Sequence, residues 1–303
     1  MALLDFNKYE QQLKEPYKNN PIDISVGFYG LCSYQPHAWD FVFQKIREYY
    51  PTEPIVLIND GFEQFDYSDI AAKYNCIHLK KDKEICLHYP DLASAHEFLH
   101  RTKEVCDLLK TDWIIHLHPD VLCQGRISYY PPSELAGVAA GSYSGVSGNH
   151  WNTDHWRSVI SYIRKHQPNI ELNGFGWCGG SIMNCKAFYK VYDSLYGANV
   201  KFTLEDIRAN TFKSSTEHED TMMSILFALN GYPYRIWKDN PEYHRGSKEG
   251  AFLHGYKEHY DFKKQGLSDS EYFSRVRYQN ISKRKERGQL DNEDYNDVNT
   301  QNI

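Results

Sequence analysis

Runs of strand character and stretches of helical repeat take turns along the first half of this chain. Asp23-Ile-Ser-Val-Gly-Phe-Tyr29 reads as a strand, and a turn-rich stretch over 30–36 follows it. Trp39, Val42, Phe43 and Ile46 then recur at helical spacing, which predicts a helix over 37–50. Pro51 and Pro54 frame a loop before the apolar run Ile55-Val-Leu-Ile58, which stops at the turn signal Asn59-Asp60-Gly61. A helix over 67–74, a strand over 76–79, a longer helix over 92–109 and a strand opening at Trp113 continue the alternation. Strand and helix in this order imply a parallel, doubly wound α/β sheet with right-handed crossovers.

The texture changes after Pro131-Pro132. Small residues dominate 137–148, with a strand expected from Ala139, and a helix fits 155–166. A glycine- and aromatic-rich loop, Asn173-Gly-Phe-Gly-Trp-Cys-Gly-Gly180, feeds Ser181-Ile-Met-Asn and a helix over 186–196. A loop is expected up to 214, then a helix over 218–230 stopped by Gly231, then a late strand over 234–237. Beyond about residue 260 the chain is strongly charged, and 283–303 has almost no apolar content, which predicts a disordered tail. The resulting division is a lead-in over 1–21, one domain over 22–260 with halves 22–135 and 136–260, and a charged segment over 261–303. No internal repeat is present.

Composition narrows the classes. A net charge of −6 argues against a nucleic-acid binder, which would carry a basic stripe. No run of eighteen apolar residues occurs, so no transmembrane segment is expected. The N-terminus carries acids and amides early and has no secretory h-region. Seven scattered cysteines without a CxxC pair read as reduced thiols, hence a cytoplasmic location and no zinc ribbon. The 24 tyrosines and 6 tryptophans suit stacking on sugars or bases, and equally an ordinary core.

The chemistry concentrates in Asp112-Trp-Ile-Ile-His-Leu-His-Pro-Asp-Val-Leu122. If the extended conformation lasts to Asp120, His116, His118 and Asp120 share one face of the strand. Pro119 ends or edges that strand. Two imidazoles and a carboxylate would thus gather at the carboxyl end of a strand, where open α/β sheets hold ligands. A histidine pair satisfied by hydrogen bonds at a sheet edge is the alternative. Further on, Thr216-x-x-Glu219 is a capping box whose acids, Asp220 included, complement the helix dipole. In the glycine loop, Gly179 and Gly180 allow close backbone approach and Trp177 can stack on a sugar face, or the segment is a tight turn with a core tryptophan.

This order of elements, with the strand end at 116–120, the Gly/Trp loop, the acids at 219–220 and the late Ala251-Phe-Leu-His-Gly-Tyr-Lys257, resembles the GT-A fold of nucleotide-sugar glycosyltransferases. The resemblance covers roughly 22–260. It implies a mostly parallel Rossmann-type central sheet flanked by helices, with an acceptor-binding half packed against it. It puts the nucleobase at the ends of the first two strands, with Asp60 bonding the base and Tyr29 near the ring. At the His118-x-Asp120 position GT-A enzymes usually carry Asp-x-Asp, which holds a divalent cation, Mn²⁺ or Mg²⁺, against the donor diphosphate. The resemblance makes His118, Asp120 and the late His254 candidate ligands, and has Lys257 neutralise the diphosphate, a part that His244-Arg245 could also play. Trp177, Gly179 and Gly180 fall on the acceptor side. Asp220, with Glu219 second and Glu217 third, falls where inverting members keep the catalytic base. The activity so implied moves a sugar from a nucleoside-diphosphate donor, UDP favoured, to an acceptor hydroxyl.

Two other classes compete. His-x-His-x-Asp at a strand end also suits a zinc hydrolase, although Val121 stands where one such family carries a further histidine, and over a hundred residues of α/β chain precede the pair. A non-catalytic carbohydrate-binding protein is the third reading. A Rossmann dehydrogenase is disfavoured because no Gly-x-Gly-x-x-Gly follows the first strand.

Overall fold

The computed structural model describes residues 25–33, 35–61, 65–82, 85, 92–128, 138–140, 154–170, 172, 179–211, 219–232, 235–237, 239–240, 249–257 and 259. At 138–140, 154–156, 219–220 and 235–236 the description is of the backbone alone. The lead-in and the segment over 261–303 lie outside it.

Nine strands form two sheets among the described residues: β1 (Val26–Cys32), β2 (Ile55–Asp60), β3 (Ile77–Lys81), β4 (Trp113–Leu117), β5 (Val121–Cys123), β6 (Val138–Ala140), β7 (Ile182–Asn184), β8 (Arg235–Ile236) and β9 (Phe252–His254). The larger sheet runs β3-β2-β1-β4-β7-β6-β8. Its first four strands are parallel, β7 is antiparallel to both β4 and β6, and β8 is parallel to β6. The helices are α1 (Pro36–Tyr49), α2 (Ser68–Lys73), α3 (Leu92–Leu109), α4 (Asp154–His166), α5 (Cys185–Tyr196), α6 (Leu204–Asn210) and α7 (Glu219–Leu229). None is long and apolar enough to cross a membrane among the described residues.

β1, β2 and β4 are buried along their whole length, the mark of strands covered on both faces. Their side chains divide by parity. Val26, Phe28 and Cys32 join Ile55, Leu57, Trp113, Ile115 and Leu117 in one core with the α1 residues Trp39, Val42, Phe43 and Ile46. Tyr29 and Leu31 join Val56, Ile58 and Ile114 in the other, against α3, α5 and α7. The stripe that predicted α1 is thus the one it buries. β3 closes one edge, and its exposed Lys80 and half-buried Lys81 discourage further strand pairing.

α6 corrects the loop expected up to 214, and β5 and β9 had no expectation. α6 is short, but Thr203 caps it by accepting from the Asp206 amide at 3.0 Å, a Thr-x-x-Asp signal legible in the chain. β5 and β9 are three residues each and carry no periodicity, so their pairing emerges only in three dimensions. They build the site.

Candidate active site

β4 stops at Leu117, so the extended conformation does not reach Asp120. The Val121 amide instead donates to the His118 carbonyl at 3.2 Å, closing a four-residue turn with Pro119 in its second position, where a ring-fixed φ is favoured. Asp120 keeps a negative φ, which excludes the type II form of the turn. His116 lies deeper than the other two, but its ring meets that of His118 edge-on at 4.7 Å between centroids, as alternation along β4 expects. It is 1% exposed, stacked on Tyr29 at 4.7 Å between centroids and edge-on to Phe98 at 5.9 Å. The bend leaves His118 and Asp120 half-buried beyond the strand end.

β5 follows directly and pairs antiparallel with β9, with Val121 opposite His254. That register delivers His254 to the turn. One ligand atom each from His118, Asp120 and His254 lie within 4.8 Å of one another, and all three residues are half-buried. His254 Nε2 is 3.8 Å from Asp120 Oδ1, and the His118 and His254 rings are 6.0 Å apart at 65°. No other group of three His, Cys, Asp or Glu of this kind occurs among the described residues. Two imidazoles and one carboxylate fit a cation such as Mn²⁺ or Zn²⁺ better than Mg²⁺, which demands an oxygen shell. Cys123, at the end of β5, offers no thiolate: burial pushes its thiol up to about 12.

Gly179 and Gly180 lie against this turn. A Cβ on Gly179 would stand 2.6 Å from the His118 Cβ and 2.7 Å from Val121 Cγ2, so only glycine lets the loop backbone lie there. Gly180 has φ +84° and donates its amide to the His116 carbonyl at 2.6 Å. Asn240 Nδ2 donates to the Gly179 carbonyl at 3.2 Å. Of the predicted acceptor-side residues, Gly179 therefore lies against His118 of the candidate cation site, and Gly180 is tied to β4 behind it. Trp177 lies outside the described residues.

At the ends of β1 and β2 the picture differs from expectation. Asp60 is fully buried, ion-paired with Arg101 and accepting the Ile85 amide at 3.1 Å. Arg101 also donates to Glu97 at 2.7 Å. Tyr29 is 1% exposed beneath His116. Neither presents surface to a base, because each already has an interior partner. Nearby, Ser33 Oγ, both amide atoms of Gln35 and Asn59 Oδ1 are buried without a hydrogen-bond partner among the described residues. Gln35 also holds the left-handed conformation, φ 56°. Buried polar groups left unsatisfied are costly and point to a ligand. Ser33 and Asn59 fall in the two segments that the resemblance assigned to the base; the signal for Gln35, next to a proline at a helix start, was there to be read.

α7 opens at Glu219-Asp220 as predicted, with the side chains of both, and Thr216 and Glu217, outside the described residues. Lys257 is half-buried three positions after His254. His244-Arg245 lies outside the description.

No family model and no curated protein matches the chain. Solved structures do. An active-site mutant of LgtC superposes with a TM-score of 0.51 at 10% identity, over 84% of this chain and 95% of that one. This is a GT-A fold. Two fainter likenesses are to galactosyltransferase LgtC with donor and acceptor sugar analogues, and to glucosyl-3-phosphoglycerate synthase from Mycobacterium tuberculosis with Mn²⁺, UDP and its glucosylated product. The first has a TM-score of 0.43 and 11% identity over 76% of this chain and 86% of that one. The second has 0.34 and 8% over 77% and 72%. The GT-A sheet puts the His118–Asp120–His254 cluster at the carboxyl end of β4, the side on which open α/β sheets bind ligands.

Proposed function

We propose that this chain is a glycosyltransferase that moves a sugar from a nucleoside diphosphate, UDP favoured, to an acceptor hydroxyl. The observation that carries the reading is the His118, Asp120 and His254 cluster at a strand end of a GT-A fold. A divalent cation held there would offset the charge of the departing diphosphate. Lys257 adds a positive charge from the same segment as His254. On the base side, Ser33, Gln35 and Asn59 take over the contact expected of Asp60, and Asn59 Oδ1 suits the imide N–H of uracil. Asp60 and Tyr29 then serve as anchors beneath the site.

Gly179 and Gly180 bring the acceptor loop against the donor turn, and Trp177 would stack on the acceptor sugar. Asp220, with Glu219 as the second choice, takes the proton of the acceptor hydroxyl as its oxygen bonds to the anomeric carbon. The bond from that carbon to the diphosphate breaks on the opposite face, which inverts the configuration. A cytoplasmic location is supported by the free thiols of Cys32, Cys76, Cys106, Cys123 and Cys185.

The same donor set favours one second reading, a zinc hydrolase. A thermal-shift panel of nucleoside diphosphates and their sugars, with and without Mn²⁺, separates the two. A ligand at 100 times its Kd adds ~2.7 kcal/mol. Stabilisation by one base type, enhanced by Mn²⁺, is the expected result. A response to Zn²⁺ with none to any nucleotide would favour the hydrolase, and a response to glycans alone a carbohydrate-binding protein.

A further inference from the structure

We infer that His259 is a positioning residue: it pins the turn that carries Asp120 and so sets the geometry of the cation site. The inference rests on the donor-site reading above. Its ground is the chemistry of the turn over 118–121. A four-residue turn interconverts between types I and II by flipping its central peptide, here the one joining Pro119 to Asp120. That flip moves the Asp120 nitrogen and re-aims its Cβ, hence the carboxylate. The group that reports the orientation of this peptide is the Pro119 carbonyl oxygen.

His259 Nε2 lies 2.6 Å from that oxygen. A carbonyl only accepts, so Nε2 carries the proton and donates. The next carbonyl, that of Asp120 itself, accepts from the Tyr256 amide at 2.8 Å. Both peptide planes flanking Asp120 are thus held from one segment, 256–259, which begins two residues after His254. The segment is itself seated on α1. The His259 ring stacks on Phe41 at 4.4 Å and 19°, and Tyr256 lies near-parallel to both, 6.2 Å from Phe41 and 5.7 Å from His259. One short piece of chain therefore supplies the third ligand and fixes the turn that bears the other two. Packing on Phe41 asks only for a ring, whereas the bond to Pro119 asks for the imidazole N–H. Partners behind metal ligands of this sort typically change affinity by ~10–100-fold.

The test is an electron paramagnetic resonance titration of Mn²⁺ into the cation-free full chain. His259→Phe keeps the ring and removes the donor; His259→Gln restores an N–H. His259→Phe is expected to weaken Mn²⁺ binding ~10–100-fold, His259→Gln to recover most of it, and the thermal midpoints without cation to stay alike. Wild-type affinity in His259→Phe, or a loss in His259→Phe that His259→Gln does not recover, overturns the inference. Asp120→Ala is the control. If it binds Mn²⁺ like the wild type, the donor-site reading fails and takes the inference with it. If it loses Mn²⁺ while His259→Phe does not, only the positioning role falls.

Discussion

Two parallel strands of one sheet each lead to an aspartate, one at the strand end and one three residues beyond it, and the two acids have opposite fates. Asp60 ends β2 fully buried, paired with Arg101 and with the Ile85 amide. Asp120 stands just past β4, half-buried, and its one carboxylate partner among the described residues is His254, 3.8 Å away. An acid whose charge is already met inside the protein is architecture. An acid half-buried beside two imidazoles is a candidate ligand for a cation. The contrast separates fold from chemistry more sharply than residue type or strand position does.

The largest effect should come from the sealed acid. Asp60→Asn removes the buried carboxylate that faces the Arg101 guanidinium, and breaking such a pair costs ~3–5 kcal/mol. Denaturant unfolding should show that loss, while Asp120→Ala changes stability by less than ~1 kcal/mol. Cation binding should reverse the order. Calorimetric titration of Asp120→Ala with Mn²⁺ should show a loss beyond the ~10–100-fold typical of an outer partner, with binding in any folded Asp60→Asn largely kept. Gly179→Ala joins the two behaviours: its methyl meets His118 and Val121 at 2.6 and 2.7 Å, and such overpacking costs ~1–3 kcal/mol and should loosen the cation site with it.

Ligand chemistry sharpens the contrast further. Wild type should favour Mn²⁺ and Zn²⁺ over Mg²⁺, and His118→Asp should narrow that gap, read by competition between the ions. Equal preference in both proteins would remove His118 from the shell. The smallest effect is alkaline. Burial raises the thiols of Cys76 and Cys123 from 9.0 to about 12. Their protonated forms are thus favoured in the folded state. Stability should be intact below about pH 9 and fall as the pH rises towards about 12. Urea titrations across that range check it, and Cys123→Ala should flatten the slope.

Much of the scaffold was legible in the chain. The boundaries of α3 and the start of β4 fell where the pattern predicted, and the α1 stripe is the buried one. The residues of the His118, Asp120 and His254 cluster were named from the chain, but the extended conformation expected as far as Asp120 does not hold. Strand alternation grouped His116 with His118, whose rings meet edge-on at 4.7 Å, whereas it is the turn at Pro119, not continued extension, that places Asp120. His254 needed β5 and β9, whose three-residue lengths hold no period to read. Asp60 illustrates the other limit. Asn-Asp-Gly announces a turn, but its pairing with Arg101, forty-one positions away, is a fact of packing.

The most direct test is a calorimetric titration of UDP into the wild type with Mn²⁺, into the wild type without it, and into Asp120→Ala with it. The account predicts binding in the first case, weakened at least ~10-fold in the other two. Equal UDP affinity in all three, or no UDP binding under any condition, would contradict it.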